Sequence, residues 1–139
     1  MDRLFPLPDD SYDISHVSGN APDDVKRIIA YPSVFVFSIN GEPERGTGYS
    51  DEVAKRLVVS EVTLVKSSEE PSKDVGRVVC DLEVTPGTGD QLRIVSTTMT
   101  MGSRTASART EIWNTTHHRL VASGVHIKMQ PSAAPSPKL

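Results

Sequence analysis

Residues 91–129 read QLRIVSTTMTMGSRTASARTEIWNTTHHRLVASGVHIKM, and this stretch decides the fold. It divides into Gln91–Met101, Arg104–Trp113 and Arg119–Met129, all of strand length and together rich in Val, Ile, Thr and Met. The breaks are Gly102-Ser103 and the polar corner Asn114-Thr115-Thr116-His117-His118. β-prone runs separated by short turns predict a three-stranded antiparallel meander. Alternation in the last run puts Val121, Ser123, Val125, Ile127 and Met129 on one face. Leu120, Ala122, Gly124, His126 and Lys128 fall on the other. Side chains alternate with period two along a strand, so the first set is expected to face a core.

Two more strands precede the meander. Leu57–Val65 is one; Gly76–Thr85 is the other, with Val78, Cys80, Leu82 and Val84 alternating against Arg77, Val79, Asp81 and Glu83. Between them Lys66–Val75 is polar and reads as a loop. Pro86-Gly87-Thr88-Gly89-Asp90 is a turn leading straight into Gln91. Further back, Pro22–Tyr31 predicts a helix. Pro22 suits the first helical position, and Asp23 and Asp24 suit the positive end of the helix dipole. Val25, Ile28 and Ile29 share its apolar face, and Pro32 stops it. Ser33–Ile39 is a short apolar run compatible with a strand or a buried loop. The segment 40–49 is glycine-rich loop. Ser50 can cap a second short helix ending near Arg56, with Asp51 and Glu52 in its first turn.

The expected class is therefore α+β: an antiparallel sheet of about five strands with short N-terminal helices. Residues 1–21 read as an irregular arm, 22–130 as one domain, and the Pro- and Ser-rich end, 131–139, as a disordered tail. Nothing after Leu57 is helical, so only the N-terminal helices or another copy of the chain remain to bury the sheet. The preferred cover is Pro22–Tyr31 with Ser33–Ile39 folded back, offering Val25, Ile28, Ile29, Val34, Phe35 and Phe37. A homo-oligomer with sheets face to face is the other expectation.

Composition narrows the function classes. The chain has 139 residues and 5 % aromatics, which predicts one modest, aliphatic core. A net charge of −3 leaves no electrostatic footprint for nucleic acid. No apolar run has membrane-spanning length, and the first residues lack a secretory pattern. The cytoplasm is the expected compartment. Cys80 is the only cysteine, which excludes an internal disulfide. It alternates with Val78 and Leu82 and reads as a small buried hydrophobe rather than a nucleophile. Asn114-Thr115-Thr116 matches a glycosylation sequon but reads as a turn. His117 and His118 are adjacent, so a strand would point them to opposite faces; a metal site from both is not expected. Asp81 and Glu83 share a strand face with no second catalytic group beside them and read as solvated.

The strand sequences carry a resemblance. Val58–Val65 and Gly76–Val84 resemble the opening strands of hotdog-fold thioesterases, in the acyl-coenzyme A thioesterase 13-like (phenylacetate-type) branch. Gly89–Ile94, Met101–Thr105 and Leu120–Lys128 resemble its closing strands, and Pro22–Arg56 resembles the N-terminal extension of fungal members. The resemblance implies a hotdog-like fold and hydrolysis of acyl-CoA to free acid and coenzyme A, with no cofactor and no metal. It also implies a site. The turn Gly102, Ser103, Arg104 and Thr105 would hold coenzyme A phosphates, for which the forked guanidinium of Arg104 is suited. His126 would lie near the acyl-CoA cleft. The alternatives are an ordinary surface turn and a satisfied face histidine.

The family pattern also breaks at one place. Between its second strand and its meander, the family carries an Asn, a His-Gly-Gly turn, a long central helix bearing a carboxylate, and a further strand. Here Val84-Thr85 is followed at once by Pro86-Gly87. That block supplies the family's oxyanion donors and its base or nucleophile, so no catalytic residue is assigned. Two functions are therefore expected of the chain: a thioesterase-like protein that hydrolyses slowly or not at all, or a non-catalytic remnant or truncated form that binds acyl-CoA or a protein partner.

Overall fold

A computed structural model describes residues 10–31, 51–87 and 89–131. The elements run α1 (Asp23–Ala30), α2 (Asp51–Arg56), β1 (Val58–Lys66), β2 (Asp74–Glu83), β3 (Gln91–Met101), β4 (Thr105–Asn114) and β5 (Arg119–Met129). The strands form one antiparallel sheet in the order β1-β2-β3-β4-β5, so the class is α+β and every connection within the sheet joins neighbours. Among the described residues no helix is long and apolar enough to cross a membrane. Ser33–Ile39, with Val34, Phe35 and Phe37, lies outside the described residues, as do Ser50 and the tail from 132 onward.

The turns close as their residues dictate. After β1, the Ser67 hydroxyl accepts from the Glu69 and Glu70 amides, at 3.3 and 3.1 Å, and the Ser67 amide donates to Lys73 at 2.9 Å. After β2, the chain turns back between Val84 and Asp90. Gly87 takes a φ of 79°, and the Glu83 carboxylate accepts its amide at 2.9 Å. Glycine meets such a φ without the steric cost of a Cβ. Arg56 at the end of α2 fixes this turn from outside, donating to the Glu83 and Val84 carbonyls at 3.0 and 2.7 Å. β2 therefore passes directly into β3, and Glu83 is tied to the turn.

Cross-strand partners share a face of a sheet. One face carries Val62, Val78 and Ser96, and Val59, Cys80, Ile94, Ile112 and Ala122. The other carries Glu61, Val79, Val95, Glu111 and Ser123. The core sits on the first face, over β1 and β2 only. Val17, Ala21, Val59 and Val62 are buried there, with Ile14, Val25, Ile29, Ala30, Val78 and Cys80 packed around them. Helix α1 thus folds back onto the sheet as expected, with Val25 and Ile29 inward.

The arm does more than its composition implies. Residues 10–21 have no helix or ladder of their own, yet they bind along the free edge of β1. The Ser18 amide donates to Ser60 at 2.9 Å, the Val62 amide to Ser18 at 3.0 Å, and the Ala21 amide to Val62 at 3.2 Å. The Asn20 amide group both donates to and accepts from the Leu64 backbone, at 2.8 and 2.7 Å. Tyr31 returns from α1 to pack against Tyr12 in a tilted ring pair, with centroids 4.9 Å apart, and to donate to the Asp13 carbonyl. Asp10 accepts from Arg27 at 3.1 Å.

The expected burial of the last strand is overturned. Val121, Val125, Ile127 and Met129 are 54, 50, 60 and 74 % exposed. Ser123 is exposed beside them. The cause is position: the cover lies over β1 and β2, and no described segment reaches β5. The face assignment of Leu120 changes as well. A bulge pairs Ile112 with Ala122 but Trp113 with Leu120. Ile112 and Trp113 are successive and point to opposite faces, so Leu120 joins the side of Val125 and Ile127.

Candidate functional site

The Gly102–Thr105 turn follows from its sequence. Met101 pairs with Ala106, and the Gly102 amide donates to the Thr105 carbonyl at 2.8 Å, closing the β3–β4 hairpin. The Gly102 amide is therefore spent on the turn and not offered to a ligand. Gly102, Ser103, Arg104 and Thr105 are all exposed at this end of the sheet. The Gln130 amide donates to the Arg104 carbonyl at 2.9 Å, so the tip is tied to the end of β5.

His126 lies at the same end of the sheet but not in the turn. Thr105 pairs with Met129, and His126 stands three residues further along β5, opposite Ala108. At ~3.3 Å per residue the separation along the strand is about 10 Å. His126 is exposed on the face that carries the core at β1 and β2. The structure thus keeps the four turn residues together and sets His126 apart from them.

The remaining sequence candidates have structural partners. His117 faces Asp90 at 3.3 Å, and its amide donates to the Asn114 side chain at 2.9 Å. His118 turns the corner with a φ of 52°. Asn114 is only 4 % exposed and donates to Asp90 at 2.8 Å, so the sequon asparagine is a buried structural group and the turn reading holds. Asp81 is not merely solvated: it accepts from Arg93 at 2.9 Å. Cys80 is half-buried, and burial, helped by the Asp81 charge, pushes its thiol above the ordinary range. A raised thiol pKa disfavours the reactive thiolate, which fits the apolar reading.

Sequence reasoning missed a depression on the face opposite the core. Val95, Thr97, Met99, Arg109 and Glu111 line an open hollow of about 400 Å³. The Trp113 indole donates to Glu111 beside it at 3.2 Å. Alternation groups Val95 with Thr97 and Arg109 with Glu111. The same alternation adds Met99 to Val95 and Thr97, and the pairing of Val95 with Glu111 and Thr97 with Arg109 sets the two groups side by side. Toward β1 the same face carries ion pairs. Arg77 donates to Glu61 at 2.6 Å and Arg93 to Asp81 at 2.9 Å, on either side of the buried Val79.

These charges are committed to structure. The Glu61 carboxyl is held below its ordinary range by the Thr63 hydroxyl, at 2.9 Å, and by Arg77. Such a carboxylate is a poor proton donor near neutrality. The hydroxyls of Ser96 and Thr110, at 2.9 Å, and of Thr100 and Ser107, at 2.7 Å, bond each other across β3 and β4. They are not set beside a base.

A lowered folded-state pKa means that ionised Glu61 stabilises the fold. That contribution is present above the ordinary glutamate value of 4.5 and is lost as pH falls through the lowered value. Glu61→Gln is therefore expected to flatten the fall in melting temperature below that pH while costing some stability at neutrality. Melting curves across the acid range check this; an unchanged acid limb would assign the loss to other carboxylates.

No family model, curated protein or solved structure matches the chain.

Proposed function

We propose that the chain is a reduced relative of the hotdog-fold acyl-CoA thioesterases, one that binds acyl-CoA or free coenzyme A and hydrolyses the thioester slowly or not at all. The observation that carries this reading is the direct passage from β2 to β3. Between Val84 and Asp90 the chain turns back, fastened by Arg56, at the point where the resemblance would insert the His-Gly-Gly turn, the central helix and one strand. In the family that block brings the donors for a developing oxyanion and the carboxylate that activates or attacks. The five strands pair without it, so the scaffold is complete while the chemistry of the block has no counterpart among the described residues.

Coenzyme A supplies phosphates and, in its thioesters, an apolar tail. The exposed Arg104 at the hairpin tip offers a forked cation for the phosphates. His126 stands four residues along the neighbouring strand from Gln130, Arg104's partner, which is about 13 Å and within the span of the pantetheine arm. Arg104→Ala is expected to weaken coenzyme A binding by about 1–3 kcal/mol, the value of a hydrogen bond to a charged group. Calorimetric titration of coenzyme A into the full chain and the variant tests it. Equal affinities would reduce Arg104 to a surface-turn residue.

A further inference from the structure

The net charge of −3 hides a division of the chain. From Gln91 onward there are six Lys and Arg residues and one carboxylate, Glu111. Residues 1–90 hold the other nine Lys and Arg residues and seventeen carboxylates, so the two parts carry +5 and −8. Such asymmetry points to an anionic partner for the positive part. That part contains β3, β4 and β5.

Two of its cations meet at one corner of the sheet. There Ala106 pairs with Met101 on one side and Lys128 on the other, and Thr105 pairs with Met129. Arg104 sits in the adjoining turn, its carbonyl bonded to the Gln130 amide. Arg104 and Lys128 are exposed, and among the described residues neither has an ion-pair partner. The β1–β2 turn lies at the same end of the sheet, but its carboxylates are largely spent. Asp74 pairs with Lys66 at 2.7 Å and Glu70 with Lys73, which leaves Glu69.

The same corner is apolar. Met129, Met101 and Ile127 are the most exposed large apolar side chains among the described residues, at 74, 61 and 60 %. Exposed apolar groups gathered in one place mark a contact with a partner or a membrane. Their directions select between these. Met101 and Lys128 share the face of Ala106, while Ile127 and Met129 share the opposite face, with Ser107 and Thr105. A partner lying flat on either face would reach only part of the set. A bilayer entered end-on by the corner takes up all three apolar chains and leaves Arg104 and Lys128 at the level of the headgroups. No aromatic residue lies between Thr97 and Thr110 or between Leu120 and Gln130, so the corner has no platform for stacking the bases of a nucleic acid.

We propose that the corner formed by the β3–β4 turn and the end of β5 is a peripheral membrane contact. It docks end-on to bilayers containing anionic phospholipid, with Met101, Ile127 and Met129 in the interface and Arg104 and Lys128 on the headgroups.

Cosedimentation of the full chain with vesicles tests it, using phosphatidylcholine alone and equal parts of phosphatidylcholine and phosphatidylserine. Binding is expected to the mixed vesicles, to fall as salt is raised, and to be far weaker on phosphatidylcholine. Lys128→Gln is expected to weaken it about fivefold, the usual effect of one basic residue at an anionic surface. Met101→Ser combined with Met129→Ser is expected to weaken it on the order of tenfold while keeping a cooperative melt, since both side chains are already in solvent. Val121→Ser, at the other end of β5, is expected to bind like the wild type. The vesicles carry no coenzyme A, so the result is independent of the ligand reading of Arg104. Absence of binding to the mixed vesicles overturns the proposal, as does equal binding to both kinds. Unchanged binding by the double methionine variant overturns it too, because the contact then lies elsewhere. An RNA oligonucleotide bound as tightly as the mixed vesicles would assign the cations to nucleic acid and overturn it as well.

Discussion

A chain lacking residues 1–31 is expected to lose its cooperative thermal transition and to bind an apolar-surface dye. Val59 and Val62 are 4 and 2 % exposed, and Val17, Ala21, Val25 and Ile29 are what cover them. Fully burying a valine stabilises by about 1.5–3 kcal/mol. The two strand valines alone therefore account for roughly 3–6 kcal/mol, against a total of about 5–15 for an ordinary domain. The truncation also strips the bonds that Ser18, Asn20 and Ala21 make to β1 and so uncovers that edge of the sheet. Calorimetry and dye binding check this. A truncated chain that melts as sharply as the intact one would mean that the arm and α1 are ornaments and that the sheet is stabilised elsewhere.

Gly19→Ala is expected to detach the arm with a single methyl group. Gly19 has a φ of 99°, where an L side chain is strained whatever space it has. Space is also missing: a Cβ would lie 2.1 Å from the Val62 carbonyl oxygen and 2.6 Å from the Thr63 hydroxyl. The near atom is backbone of a paired strand, so it cannot swing aside. A forced backbone conformation costs about 1–3 kcal/mol by itself, and the contact adds to that unless the arm lifts. The expected result is a large drop in melting temperature with rapid exchange of the Val62 and Leu64 amides. Gly76→Ala is the control, because its Cβ would meet only the Thr98 hydroxyl at 3.5 Å. Equal melting temperatures for the two variants would contradict the close approach of the arm to β1.

The strands were legible because their signal is local. Alternation and turn residues in 57–65, 76–85 and 91–129 place all five, with bounds displaced by one or two residues. Helix α1 was legible for the same reason: Asp23 and Asp24 start it, and its Val25 and Ile29 face the core. What covers the sheet was only half legible. Periodicity separates two faces of β5 but does not say which one another element reaches, and the element that packs on the sheet stops at β1 and β2. The arm reads as irregular because its residues favour no regular element. Its order comes from bonds between Ser18 or Asn20 and strand residues more than forty positions away, which local pattern cannot encode. The bulges at Thr98/Thr100 and Ile112/Trp113 each broke a parity count. They moved Leu120 to the face of Val125 and Ile127, and Thr100 to the face of Thr97 and Arg109. The site residues Gly102, Ser103, Arg104 and Thr105 were placed in a turn by the Gly-Ser break. His126 was grouped with them by resemblance alone, and the ladder puts it opposite Ala108 instead.

The most direct test of the functional account is one titration of the intact chain with medium-chain and aromatic acyl-CoA, in which binding and release of free thiol are followed together. The account predicts saturable binding with little or no thiol released. Turnover in the ordinary enzyme range of about 1–10³ s⁻¹ would contradict it, because a complete catalytic apparatus would then reside in residues that the sheet commits to its own pairing and turns.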